Sequence, residues 1–114
     1  MFDYRAKLVR VVDGDTVDLD IDLGFHIHTH ERVRLTGINT PELHSPLETE
    51  RVKAKAAAEF LTTLLGGELV VKTSRDSQEK YGRFLARLYS TSGVCANDEM
   101  VKSGHAVAYD GGKR

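Results

Sequence analysis

Apolar and polar residues alternate with period two over the first third of the chain, and this pattern predicts strands. From Thr16 onward, Val17, Leu19, Ile21 and Leu23 share one face, while Asp18, Asp20 and Asp22 share the other. After Gly24 the alternation resumes, with Ile27, Val33 and Leu35 opposed to His26, His28, His30, Arg32 and Arg34. Two such runs with a glycine between them predict a hairpin. A loop at 23–25 sets Asp22 opposite His26, Asp20 opposite His28 and Asp18 opposite His30. These pairs support the register once the histidines are protonated. Residues 7–12 predict an earlier strand.

The period changes near position 45. Ser45-Pro46-Leu47-Glu48 has the form of a capping box with proline at the first helical position. Val52, Ala56, Phe60 and Leu64 then follow at i, i+4 spacing, and Gly66-Gly67 ends the run. Glu68–Thr73 predicts a further strand, 75–82 a polar loop, and Phe84–Ser90 another strand. Asn97 is placed to cap a short helix that Gly104 ends. The tail from Tyr109 carries no packing signal, and 110–114 is expected to be loose. No repeat or low-complexity linker divides the chain, so 1–114 reads as a single domain. Three strands, a helix, two strands and a short helix predict an α+β fold, mainly β. The expected form is a five-stranded barrel of OB type with two helices packed on it.

Composition changes this picture little. The 114 residues can bury one modest core, and 40% hydrophobic with 29% charged residues is ordinary for a globular chain. The net charge of −1, from 16 basic and 17 acidic residues, lacks the basic excess of many nucleic-acid binders. A bound cation would alter that balance locally. A single cysteine, Cys95, excludes an intrachain disulfide and a cysteine-rich zinc site. The chain has no apolar leader with a cleavage site and no membrane-length run, so a cytoplasmic location and no membrane partner are expected.

Three separated strings carry candidate chemistry: DGDT at 13–16, RLTGINTPE at 34–42 and KYGR at 80–83. Asp13 and Asp15 flank Gly14 in a turn between strands, where closely spaced carboxylates can supply oxygens to a hard cation such as calcium. The same residue types also favour plain turns. Glu42 follows Thr40-Pro41, and proline restricts the backbone that aims it. A general base for hydrolysis needs such a carboxylate within reach of water. Arg34 and Arg83 present planar paired donors that match phosphate oxygens, where negative charge grows during phosphoryl transfer. Taken singly, Glu42 and each arginine are better read as solvated surface residues, and only their combination favours the chemistry.

DGDTV, RLTGINTPE, KYGR and NDEMVKSG, in that order, resemble the staphylococcal nuclease family from about Asp13 to Tyr109. The separation of Arg34 from Glu42 is similar to that family's arginine-to-glutamate spacing. The resemblance implies a calcium-dependent endonuclease acting on DNA, with RNA as a second candidate substrate, and leaving 3′-phosphate ends. It implies that Asp15, Asn39 and the carbonyl of Thr40 ligate Ca2+, and that Glu42 acts on the attacking water. Arg34 and Arg83 would bind the scissile phosphate. Lys80 and Tyr81 would contact substrate phosphates, and Tyr109 lies near the place of a base-stacking tyrosine, one residue short in spacing.

The chain also departs from that family's secreted prototype. Asn39 stands where the prototype has a second calcium-binding aspartate, which predicts weaker calcium binding or wider tolerance of metals. The hairpin between Asp15 and Arg34 is longer, and no counterpart of the prototype's C-terminal helix is expected. The short chain is compatible with a homodimer or a protein partner without indicating either. His26, His28 and His30 share one face of the expected strand, where neighbouring His-x-His pairs could chelate zinc or copper. The favoured reading is an exposed hairpin face pairing with Asp18, Asp20 and Asp22, since nothing fixes partners behind a metal site. The alternative to an enzyme is a binding module of the same fold that holds nucleic acid or protein without cleavage. Retention of Arg34, Glu42 and Arg83 together with the Asp15 turn favours the enzyme.

Overall fold

The first strand, β1 (Phe2–Asp13), leads through a two-residue turn into β2 (Thr16–Asp22), which keeps the expected alternation. Val17, Leu19 and Ile21 are buried, and the aspartates between them lie on the other face. The structure, a computed structural model, describes residues 2–73 and 84–109. The expected 75–82 loop, the candidate residues Lys80, Tyr81 and Arg83, and the 110–114 tail lie outside the described residues.

The hairpin from β2 to β3 (His28–Leu35) forms with a longer loop than expected. The Leu23 N–H donates to the Ile27 carbonyl at 2.8 Å, and Gly24, Phe25 and His26 turn the chain with φ of 84°, 55° and 65°. Asp22 therefore pairs with His28, Asp20 with His30 and Asp18 with Arg32, each partner two residues later than expected. Because side chains on a strand repeat every two residues, the shift leaves the strand residues on their expected faces. His26, however, sits in the turn, so the three histidines do not form one strand row. His28 Nδ1 and His30 Nε2 lie 3.0 and 3.7 Å from the same oxygen, Asp20 Oδ1. Among the described residues, no group of three or more His, Cys, Asp or Glu is arranged to hold a metal.

Two further strands, β5 (Glu68–Thr73) and β6 (Phe84–Ser90), have the expected bounds. The barrel closes in the order β1-β2-β3-β6-β5, with β3 and β6 parallel and the other pairs antiparallel. β1 pairs with β2 on one edge and β5 on the other, and its register with β2 shifts between Leu8 and Arg10 and again between Val11 and Asp13. Leu19, Leu35, Leu69 and Leu88 fill the core from four strands, and each contributes roughly 1.5–3 kcal/mol by leaving water.

The first helix, α1 (Glu48–Leu65), covers this core with Ala54, Ala57, Leu61 and Leu65. This differs from the expected stripe: Val52 and Ala56 are exposed, and Phe60 and Leu64 are half-buried at its margin. The alanine stripe wins because it lets the helix approach the β1–β2 turn closely. The capping box does not form either. Ser45 Oγ accepts the Leu47 N–H at 3.1 Å, which places Pro46 before the helix and leaves Leu47 as its flanking residue without a side-chain cap. Gly66 ends the helix at φ 61°.

A second helix, α2 (Ala96–Lys102), starts after Cys95 rather than after Asn97. Asn97 is 1% exposed and serves as a clamp instead of a cap. Its Oδ1 accepts the Leu88 N–H at 3.0 Å, and its Nδ2 donates to the carbonyls of Thr36 and Ala86 at 2.8 and 3.2 Å. Beside the barrel lies a small unexpected sheet of β4 (Ile38–Asn39) and β7 (Val107–Ala108). Tyr109 continues that pairing by donating its N–H to the Gly37 carbonyl at 2.8 Å, so it belongs to the packed structure and not to a loose tail.

Candidate functional site

Gly14 is required by crowding. A Cβ at this position would lie 2.9 Å from Ala57 Cβ of α1 and 3.1 Å from Thr40 Cβ and Cγ2. The missing side chain thus lets the helix, the β1–β2 turn and the 40–43 loop meet. Two acids beside it fasten that loop. Asp15 Oδ2 accepts the Thr40 N–H at 3.3 Å, and Asp13 Oδ1 accepts the Leu43 N–H at 3.2 Å. Pro41 and Glu42 lie between these anchors. Glu42 is exposed, and its carboxylate makes no hydrogen bond to a described residue.

Arg34 projects from β3 opposite Thr16, the residue after the turn. Its Nη2 donates to Asn39 Oδ1 at 2.9 Å and to the Ile38 carbonyl at 3.1 Å, and lies 3.4 Å from Asp15 Oδ2. Nη1 reaches the Leu35 carbonyl at 3.5 Å. The side chains of Arg34 and Asp15 are 14% and 11% exposed, so water screens this pair less than a surface ion pair. The Arg34 guanidinium carbon also lies 5.8 Å from the centre of the Tyr109 ring, a cation–π distance. Asp15 Oδ1 accepts the Thr16 hydroxyl at 3.1 Å, and its main-chain carbonyl accepts the Leu35 N–H at 2.8 Å.

The structure therefore brings Asp15, Arg34, Asn39, Thr40 and Tyr109 together and carries Glu42 on the adjoining anchored loop. The contributions of Asp13 as a loop anchor, of the Ile38 carbonyl and of Ala57 behind Gly14 are additions. Asp13 had a signal in the D-G-D string, but a main-chain carbonyl and a helix contact have none.

The oxygens here suit a hard cation. A bound ion could draw on the Asp15 carboxylate, the Asn39 amide oxygen and main-chain carbonyls of 38–40. Three such oxygens already surround one positively charged nitrogen, Arg34 Nη2. On the same stretch, Thr40 Oγ1 is buried without a hydrogen-bond partner among the described residues. The set carries one carboxylate, which limits the charge available to hold a divalent ion.

A family model described as "Staphylococcal nuclease homologue" matches residues 32–114. A thermonuclease of Staphylococcus intermedius is 38% identical over 106 residues, which is 92% of this chain and 58% of that protein. Endonuclease YhcR of Bacillus subtilis is 32% identical over 114 residues, covering 94% of this chain and 9% of that protein. An uncharacterised endonuclease of Escherichia coli O157:H7 is 28% identical over 108 residues, or 95% of this chain and 63% of that one. The chain spans less than two thirds of the length of each of these relatives.

Proposed function

The chain belongs to the staphylococcal nuclease homologue family, and from that premise we propose that it is a calcium-dependent endonuclease hydrolysing phosphodiester bonds of DNA, with RNA as a second substrate. The observation that carries the reading is the meeting of the Asp15 carboxylate, the Asn39 amide oxygen and the Ile38 carbonyl around Arg34 Nη2, beside a loop that holds Glu42 between two anchors.

In this reading Asp15, Asn39 and the Thr40 carbonyl would hold calcium, which when bound supplies positive charge beside the scissile phosphate. Glu42 accepts a proton from water as the water oxygen bonds to phosphorus in line. The bond from phosphorus to the 5′-oxygen breaks, that oxygen leaves and takes a proton from solvent, and a 3′-phosphate remains. Arg34 donates N–H groups to the phosphate oxygens on which charge grows, and Arg83 is assigned the same task. Lys80 and Tyr81 are assigned to neighbouring substrate phosphates, and the Tyr109 ring to a base.

A non-cleaving binding module of the same fold is the second reading. It is favoured by the neutral Asn39 and by the engagement of Arg34 with protein oxygens. The two readings separate on products: purified protein is incubated with single-stranded DNA, duplex DNA and RNA, with calcium or with EDTA. Calcium-dependent fragments ending in 3′-phosphate support the enzyme. Retention of the strands without any cleavage supports the module.

A further inference from the structure

We propose that Arg34 is the resident cation of this site, and that a divalent cation enters by exchanging with it. The inference rests on the reading of Asp15 and Asn39 as cation ligands. Arg34 Nη2 holds Asn39 Oδ1 at 2.9 Å, the Ile38 carbonyl at 3.1 Å and Asp15 Oδ2 at 3.4 Å. A hard cation seeks the same kind of oxygens at about 2.3–2.6 Å. The guanidinium and the ion therefore compete for one small set of acceptors.

Charge makes the competition sharper. With Asn39 neutral, Asp15 and Arg34 balance each other, one charge against one, in a pair whose side chains are mostly buried. A divalent ion added to that balanced cluster meets the guanidinium charge at close range and with limited screening. Loss of the Arg34 bonds to Asp15 and Asn39 relieves this repulsion and frees the donors that a phosphate would need. Nearby, the Tyr109 ring at 5.8 Å offers the guanidinium a surface that does not depend on those oxygens. Cation occupancy and the readiness of Arg34 for phosphate thus become one coupled event.

The test uses calcium alone, without nucleic acid. In the unaltered protein, the guanidinium NMR resonance of Arg34 is followed as calcium is added. Calorimetry then compares calcium affinity between the parent and Arg34→Ala. Exchange gives a resonance that moves in step with calcium saturation, and roughly tenfold tighter calcium binding in the variant. Weaker or equal binding in the variant overturns the proposal, since Arg34 would then organise the oxygens or be indifferent to them. Tighter binding with an unmoved resonance also overturns it, leaving repulsion at a distance. Neither of these results touches the calcium reading itself, whereas no calcium binding by parent or variant removes both. The resonance measurement stands even where Arg34→Ala does not fold.

Discussion

Asp13 Oδ1 accepts the N–H of Leu43 at 3.2 Å, joining residues thirty positions apart. With the matching bond from Thr40 to Asp15 at 3.3 Å, it fixes both ends of the segment that carries Glu42. If Glu42 is the base, this bond makes Asp13 a positioning residue for it. Asp13→Ala is expected to lower kcat roughly ten- to a hundredfold with a smaller change in KM. Asp13→Asn, which keeps a carbonyl acceptor for the Leu43 N–H, should restore most of that loss. Steady-state cleavage kinetics of the two variants check this, and equal loss in both rejects the anchoring role.

Gly14 tests the packing beneath the same loop. Gly14→Ala forces a Cβ to within 2.9 Å of Ala57 Cβ and 3.1 Å of Thr40. It is expected to cost about 1–3 kcal/mol of stability. Adding Ala57→Gly removes the closer of these contacts, so the double variant should lose less than the two single losses summed. Urea unfolding of the four proteins measures this coupling.

Asn39→Asp gives the cluster a second carboxylate. Calcium affinity should rise about tenfold or more, because ligand charge sets affinity at such sites. Calorimetry reads the change directly. An unchanged affinity would show that position 39 does not touch the cation.

Asp18 supplies a prediction in pH. The Arg32 guanidinium bonded to it at 2.8 Å, with help from Arg10 at 3.1 Å, holds its carboxyl below the ordinary carboxylate range. A depressed folded value means that the pairing stabilises fully above the ordinary range and is lost as acid protonates the group. The Arg32 and Arg10 side chains are 45% and 63% exposed, so screening limits the effect. Asp18→Asn should cost a few tenths to about 1 kcal/mol at neutral pH. That difference should fade in acid, below the folded value, in unfolding curves recorded across pH.

Much of this architecture could be read along the chain because its barrel strands are half-buried and alternate cleanly. Residues 17, 19 and 21 announce a strand without help from tertiary contacts. The hairpin register was harder, since left-handed backbone at Phe25 and His26 has no pattern in residue type. The face of α1 depended on a distant glycine: only the closeness of Gly14 to Ala57 decides between the alanine stripe and the Phe60 stripe. At two residues each, β4 and β7 are too short to show a period. Asn97 looked like a cap because asparagine favours caps, and a buried amide serving three main-chain groups has the same local sequence. At the site, Asp15, Arg34 and Asn39 were legible as motif members, while their shared contact required the fold.

Cleavage of an end-labelled single-stranded oligonucleotide is measured for the parent, Glu42→Gln and Arg34→Ala, with calcium and with EDTA. Calcium-dependent cleavage by the parent is expected, reduced about 10²–10⁴-fold in Glu42→Gln with oligonucleotide binding retained. Arg34→Ala should lose both rate and binding. No cleavage by the parent, or undiminished cleavage by both variants, would contradict the proposed reaction.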